Sequence, residues 1–355
     1  MKVLNIVGAR PQFIKAFPIS RILRSEHDEI LLHTGQHYDE EMTDIFFDEL
    51  GIPEPEVNLG VGSLSHGDQT ARIMSGIESV VEETSPDVVL VYGDTNSTLA
   101  GAIVAAKMDP MLAHVESGMR SFNRDMPEEI NRVLTDHAAD ILFTASETAV
   151  ELLEAEGISE GVLQTGDVMY DTLLWAKERS ESKSEILHEL GVSLNEYYLA
   201  TVHRPRNTDD RSRLSSILEA FEQVSGPIVF PAHPRTVERL DAFGLTERAR
   251  HATILIDPVG YLDIVRLLDG AISVITDSGG LQKEAYFLET PCITLREDTE
   301  WIETVETGWN LLTGANPDQI VSGLTREPPK SAPKPVYGDG QAAESIVRAL
   351  ESRVN

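Results

Sequence analysis

The sequence predicts an α/β protein made of two parallel-sheet domains, and three observations carry that prediction. The chain has 355 residues, past the size at which one hydrophobic core stops growing. Short β-branched apolar runs alternate with amphipathic helical stretches, the pattern of a parallel sheet covered on both faces. About halfway along, the alternation starts afresh.

In the first half, residues 2–7, 30–33, 87–92, 111–115 and 141–144 read as strands with helices between them. In the second, residues 198–202, 228–231, 253–256, 271–275 and 292–295 repeat the pattern. A mostly polar, helical stretch over 166–196 separates the halves, so the first domain is expected to span residues 1–170 and the second 171–335. A Pro-rich run over 328–335 precedes a closing helix, residues 336–355, whose apolar stripe of Ala342, Ile346, Val347, Leu350 and Val354 needs a partner. That helix is expected to cross back onto the first domain.

Composition narrows the function classes. A hydrophobic content of 41% suffices for two cores, and the net charge of −30 is spread along the chain, which argues against nucleic acid as a partner. Only 8 of the 29 basic residues are lysine, so the surface fits a very salty cytoplasm in which counterions screen self-repulsion. The lone Cys292 lies in an apolar run and reads as a buried strand residue. Residues 1–8 look like a first strand without the h-region or cleavage site of a signal peptide, and no apolar run approaches a membrane span, so a cytoplasmic protein is expected.

Ligands of doubly wound sheets bind beyond the carboxyl ends of the strands. After the first strand, Gly8-Ala9-Arg10-Pro11 makes a tight turn, with Lys15 one helical turn on: two cations that can hold an anion. In the second half, Thr276-Asp277-Ser278-Gly279-Gly280 opens a helix, and its two glycines let backbone N–H groups approach a diphosphate. Glu284 follows on that helix, placed to accept hydrogen bonds from a ribose. His203-Arg204 and His233-Pro234-Arg235 end two strands at one sheet edge and favour a polyanionic ligand.

The first half offers acids at the matching edge: Asp94, Glu116 and Glu128. Carboxylates facing one cleft suit acid–base chemistry. Each also has an ordinary structural reading, as a helix cap for Asp94 and Glu128 and a strand-end hydrogen bond for Glu116. The histidines show no HExxH pattern, and His33 and His37 straddle a glycine, so neither a metal nor another cofactor is expected.

Taken in order, Gly8-Ala9-Arg10-Pro11-Gln12, Thr34-Gly35-Gln36-His37, Tyr92-Gly93-Asp94-Thr95, His114-Val115-Glu116-Ser117-Gly118, Pro127-Glu128-Glu129-Ile130-Asn131-Arg132 and Thr276-Asp277-Ser278-Gly279-Gly280 resemble the motifs of the non-hydrolysing UDP-N-acetylglucosamine 2-epimerases. The resemblance runs from Met1 to the closing helix. It implies two Rossmann-like domains in a glycosyltransferase-B-like arrangement, an active site in the interdomain cleft, a homodimer, and UDP held mainly by the second domain. It also implies a place in cell-surface polysaccharide biosynthesis.

By position, the resemblance makes Arg10, His233, Ser278, Gly279, Glu284 and Arg296 contacts of UDP, with Gly280 in the same turn and Lys15 nearby. It makes Asp94, Glu116, Glu128 and His203 the catalytic set. The family reaction inverts C2 by eliminating UDP to a 2-acetamidoglucal and adding it back; which carboxylate serves which face stays open.

Some positions depart from the common bacterial pattern. Asp39 replaces a glutamine that binds an activating UDP-sugar, although Arg72 is present, and Ile264 replaces an aromatic ring near the uracil, for which Tyr261 is a substitute one turn earlier. The loop over 120–126 is short, and Ile302 stands where proline is common. These departures resemble branches that include archaeal epimerases and enzymes acting on diacetamido-glucuronate nucleotides. A hydrolysing epimerase that releases N-acetylmannosamine and UDP, a glycosyltransferase of the same fold and a non-catalytic sugar-nucleotide-binding module are the competing readings.

Overall fold

The computed structural model describes residues 1–36, 51 and 54–354. Two compact units emerge: Met1–Leu174 together with Pro335–Asn355, and Trp175–Lys334. The change of unit falls inside the helix Val168–Lys183.

The first unit is built on seven parallel strands, β1 Lys2–Val7, β2 Asp28–His33, β3 Val57–Asn58, β4 Val88–Tyr92, β5 Met111–Ser117, β6 Ile141–Thr144 and β7 Val162–Gln164, ordered β3-β2-β1-β4-β5-β6-β7. Every residue of the VVLVY run in β4 is buried, as a central strand covered on both faces requires. Leu4, Ile6, Val89 and Val91 pack one face against Ile73, Ile77 and Val80 of the helix His66–Thr84, with Ala100 and Ala102 of the helix Asn96–Ala105. Side-chain caps start these helices: the Ser65 hydroxyl accepts from the Asp68 N–H and the Thr95 hydroxyl from the Thr98 N–H. The closing helix Ala342–Val354 packs against the helix Arg10–Glu26 and buries Ile346, Val347 and Leu350.

The second unit has six parallel strands, β8 Tyr198–Thr201, β9 Ile228–Pro231, β10 Ile254–Ile256, β11 Val274–Thr276, β12 Cys292–Thr294 and β13 Asn310–Leu312, ordered β10-β9-β8-β11-β12-β13. One apolar cluster, with Leu214, Phe221 and Phe230, covers one sheet face; a second, with Tyr197, Val229, Leu268 and Cys292, covers the other.

The ten strands read from sequence are all present, with ends shifted by a few residues; the largest shift replaces the expected 271–275 by Val274–Thr276. β3, β7 and β13 were not expected. Each is two or three residues long and lies at a sheet edge, too short for an alternation to register.

Candidate active site

The turn after β1 is set by a side chain. Gln12 is buried, and its carbonyl oxygen accepts the N–H of Gly8 at 2.8 Å and of Ala9 at 3.1 Å. Its amide donates to the Tyr92 carbonyl at 2.7 Å and to the Thr98 hydroxyl at 3.0 Å, which ties the turn to the end of β4. Gly8 is obligatory here, since a Cβ would lie 2.0 Å from the Ser97 hydroxyl oxygen. Lys15, one turn into the helix, forms an ion pair with Glu116. The side chain of Arg10, His37 and Asp39 lie outside the described residues.

Glu116 reaches Lys15 because β5 is irregular: its register against β6 shifts between Val115 and Ser117, and Glu116 sits at a left-handed φ of 66°. A non-glycine residue in that region marks stored strain of the kind found at functional sites. Beside it, Gly93 has φ 61°, and a Cβ there would lie 3.2 Å from both the Glu116 carboxylate and the Lys15 amine.

Asp94 pairs with Arg132, whose other arm donates to Glu129 at 2.9 Å. Burial disfavours the Arg132 charge, yet Asp94, Glu129 and Glu116 together hold it above the ordinary arginine value. Two carboxylates thus stand close at neighbouring strand ends, each with its own cation. Neither Asp94 nor Glu128 is a helix cap: Thr95 caps one helix, and Met126 holds the N-cap position of Pro127–Ala138.

Glu128 is not part of that cluster. It is exposed on the first turn of its helix, and among the described residues no hydrogen bond or ion pair of its side chain is found. Its neighbour Glu129 is the buried one, accepting the N–H groups of Ser121 and Phe122 at 2.9 Å each and the Ser121 hydroxyl at 2.8 Å. Although burial raises the Glu129 pKa, those donors and Arg132 bring it below the ordinary value.

Behind the carboxylates, the buried ring of His114 lies between the Asp136 carboxylate at 2.7 Å and the Gly93 carbonyl at 2.8 Å. A carbonyl can only accept, so Nε2 carries the hydrogen and pins the Gly93 turn. Asp136 also accepts from the Gly118 N–H at 3.1 Å and Arg120 at 2.6 Å; burial would raise its pKa, but His114 and Arg120 hold it below the usual carboxylate range.

In the second unit the hub is Asp277, fully buried at the end of β11. Its carboxylate accepts the N–H of His203 at 3.0 Å, the N–H of Arg204 at 3.0 Å and the Asn207 amide at 2.9 Å. The His203 side chain is half exposed with Nδ1 3.2 Å from Asp277, and its ring lies 6.3 Å from that of His233. His233 accepts the Arg235 N–H at Nδ1, at 3.2 Å, so its outer nitrogen bears the hydrogen.

Ser278 caps the helix Gly279–Phe287, leaving the N–H groups of Gly279 and Gly280 at its start. A Cβ on Gly279 would lie 3.6 Å from Trp301 Nε1 and 3.8 Å from both an Arg204 nitrogen and a Glu300 oxygen. The buried Lys283 on this helix has its amine 4.0 Å from the Trp301 ring centroid. Arg296 is clamped by both oxygens of Glu300 at 2.9 Å and by Asp298 at 3.1 Å.

Tyr261 and Glu284 form a buried pair, the phenol donating at 3.0 Å. Burial and the Glu284 charge push the Tyr261 pKa well up, so the phenol remains a donor. Ile264 is packed among the apolar residues of one sheet face, while Arg72 and Ile302 are exposed.

Sequence reasoning missed the groups that position the others: Gln12, His114, Arg132, Asp136, Asp277 and Glu300. Gln12, His114, Arg132 and Asp277 lie within the motifs quoted above without a role assigned to them, and Arg132 also stands three residues after Glu129 on one helix face.

The comparisons with known proteins agree with one another. The family model for UDP-N-acetylglucosamine 2-epimerase matches residues 21–351. A UDP-N-acetylglucosamine 2-epimerase homolog of Methanococcus maripaludis is 51% identical over 99% of this chain and 100% of its own length. The UDP-2,3-diacetamido-2,3-dideoxy-D-glucuronate 2-epimerase of Pseudomonas aeruginosa is 44% identical over 99% of both chains. The crystal structure of the Methanocaldococcus jannaschii UDP-GlcNAc 2-epimerase, in complex with UDP-GlcNAc and UDP, matches with a TM-score of 0.86 at 42% identity, covering 99% of this chain and 100% of that one.

The fold is accordingly that of the glycosyltransferase-B-like epimerases, α/β with two parallel-sheet domains. With the family matched across most of its length on such a fold, the chain belongs to the UDP-N-acetylglucosamine 2-epimerase family and is an isomerase.

Proposed function

We propose that this chain is a non-hydrolysing 2-epimerase that interconverts UDP-N-acetylglucosamine and UDP-N-acetylmannosamine. The observation that carries the reading is the pair of cation-tethered carboxylates, Lys15–Glu116 and Arg132–Asp94, at the adjacent ends of β5 and β4.

The sugar C2–H is barely acidic, so its removal is coupled to departure of the diphosphate. A base takes the proton, the C2 electron pair becomes the C1–C2 double bond, and the C1–O bond breaks with its electrons leaving on UDP. For return, a proton enters C2 on the opposite face and a diphosphate oxygen re-forms the bond to C1. Inversion needs acid–base groups on both faces. Asp94 and Glu116 are the first candidates, with Glu128 and His203 completing the catalytic set. No cofactor enters the scheme.

The first unit is assigned the acid–base work and the second most of the nucleotide contacts. The N–H groups of Gly279 and Gly280 beside Ser278, with Arg10, Lys15, His233 and Arg296, are assigned to the diphosphate, where they stabilise the leaving charge. Glu284 is assigned to the ribose, fixed by Tyr261. The enzyme is read as a cytoplasmic homodimer adapted to high salt that supplies sugar nucleotides for a cell-surface polysaccharide.

The test is product analysis after incubation with UDP-N-acetylglucosamine. A second sugar nucleotide at equilibrium, without free UDP accumulating, is the expected result. UDP rising in step with N-acetylmannosamine would replace this reading by a hydrolysing one. The Pseudomonas relative supports a second reading, in which UDP-2,3-diacetamido-glucuronate is the substrate; a parallel incubation with that nucleotide decides between the two sugars.

A further inference from the structure

At the start of the helix Gly279–Phe287 stands an acid whose charge is wrong for a diphosphate site. Glu300 Oε2 lies 3.8 Å from where a Gly279 Cβ would be, the same distance as Arg204 Nη2. Both Glu300 oxygens are engaged by Arg296 at 2.9 Å. The Arg296 and Arg204 charges, with a local backbone bond, bring the Glu300 pKa below the ordinary value although burial opposes this. At this helix start Arg296 is therefore held by an internal anion, with an Arg204 nitrogen near the same Gly279 position.

We propose that Glu300 is the internal counter-anion of the UDP site: it fixes Arg296 for the diphosphate and, by like-charge repulsion, keeps UDP bound less tightly than the cations there would hold it without that carboxylate. This rests on the assignment of the diphosphate to Ser278–Gly280 made above.

The chemistry supplies the reason for such a residue. UDP is the leaving group of one half-reaction and the nucleophile of the other, so a site that held it too deeply would trap the intermediate state. A fixed carboxylate raises the energy of bound UDP while keeping the Arg296 guanidinium aimed. Asp298 contacts Arg296 as well, at 3.1 Å, but its side chain is 76% exposed and its charge is screened by solvent.

The experiment is calorimetric titration of wild type, Glu300→Gln and Glu300→Asp with UDP and with UMP. The Gln variant, isosteric and uncharged, is expected to bind UDP roughly fivefold or more tightly than wild type, with a smaller gain for the less charged UMP. The Asp variant keeps the charge and is expected to show no such gain. Weaker or unchanged UDP binding by Glu300→Gln, or equal gains for UDP and UMP, would overturn the proposal. Failure of wild type to bind UDP at all would overturn it together with the site assignment, so the two failures are distinguishable.

Discussion

Glu116 combines a proposed catalytic role with an unfavourable backbone. Its φ of 66° is a conformation that costs a side-chain-bearing residue about 1–2 kcal/mol, and it is sustained by the β5 irregularity and by Lys15. Glu116→Gln and Asp94→Asn should each lower turnover about 100-fold or more while leaving the dissociation constant of UDP within a few-fold of wild type; turnover near wild type would remove that residue from the catalytic set. Arg132→Gln should lower kcat about tenfold, with partial recovery in Arg132→Lys, because Asp94 would lose its tether. Gly93→Ala places a methyl against the Lys15–Glu116 pair at a positive φ. The expected outcome is a loss of about 1–2 kcal/mol in urea unfolding together with reduced turnover.

The candidate site is legible where chemistry and strand position coincide. Lys15, Asp94 and Glu116 follow predicted strands, and the structure gathers them with Arg132. Gln12, His114 and Asp277 stand in the quoted motifs, but their roles were not legible, because each bonds backbone groups from segments distant in the chain, which no local spacing reveals. Which of two adjacent motif acids is buried was not legible either: the fold leaves Glu128 exposed and buries Glu129.

At the scale of elements, the strands were read correctly because β-branched runs buried on both faces leave a continuous apolar signal, as in β4. The closing helix adds a device that sequence did not show. Asp171 accepts the N–H of Ala342 at 3.2 Å and of Ala343 at 2.8 Å, holding the start of Ala342–Val354. Burial pushes the Asp171 pKa up to about 6 from 3.8, outweighing those two donors, with Asp167 adding to the rise. A raised carboxyl favours the protonated folded form, so its stabilisation is present at low pH and is lost as pH rises through about 6. Asp171→Asn, neutral throughout, should therefore gain about 1–3 kcal/mol over wild type near pH 7.5 and little near pH 4. Melting curves at the two pH values check this, and equal shifts at both would contradict it.

For the whole molecule, the dominant fact is a net charge of −30 on 355 residues. Self-repulsion on that scale is relieved by screening. Raising potassium chloride from about 0.1 M to about 2 M should raise the melting temperature by several degrees and raise activity with it; a flat or falling melting temperature would refute adaptation to salt. No helix among the described residues is long and apolar enough to cross a membrane.

Reversible elimination at C2 leaves a direct isotopic mark, which proton NMR in deuterated water at molar potassium chloride reads. With UDP-N-acetylglucosamine as substrate, a second sugar nucleotide carrying deuterium at C2 is expected, with deuterium washing into the substrate as equilibrium is approached. A product that keeps its original C2 hydrogen would rule out elimination at C2, as would both UDP-N-acetylglucosamine and UDP-2,3-diacetamido-glucuronate being left untouched although UDP binds.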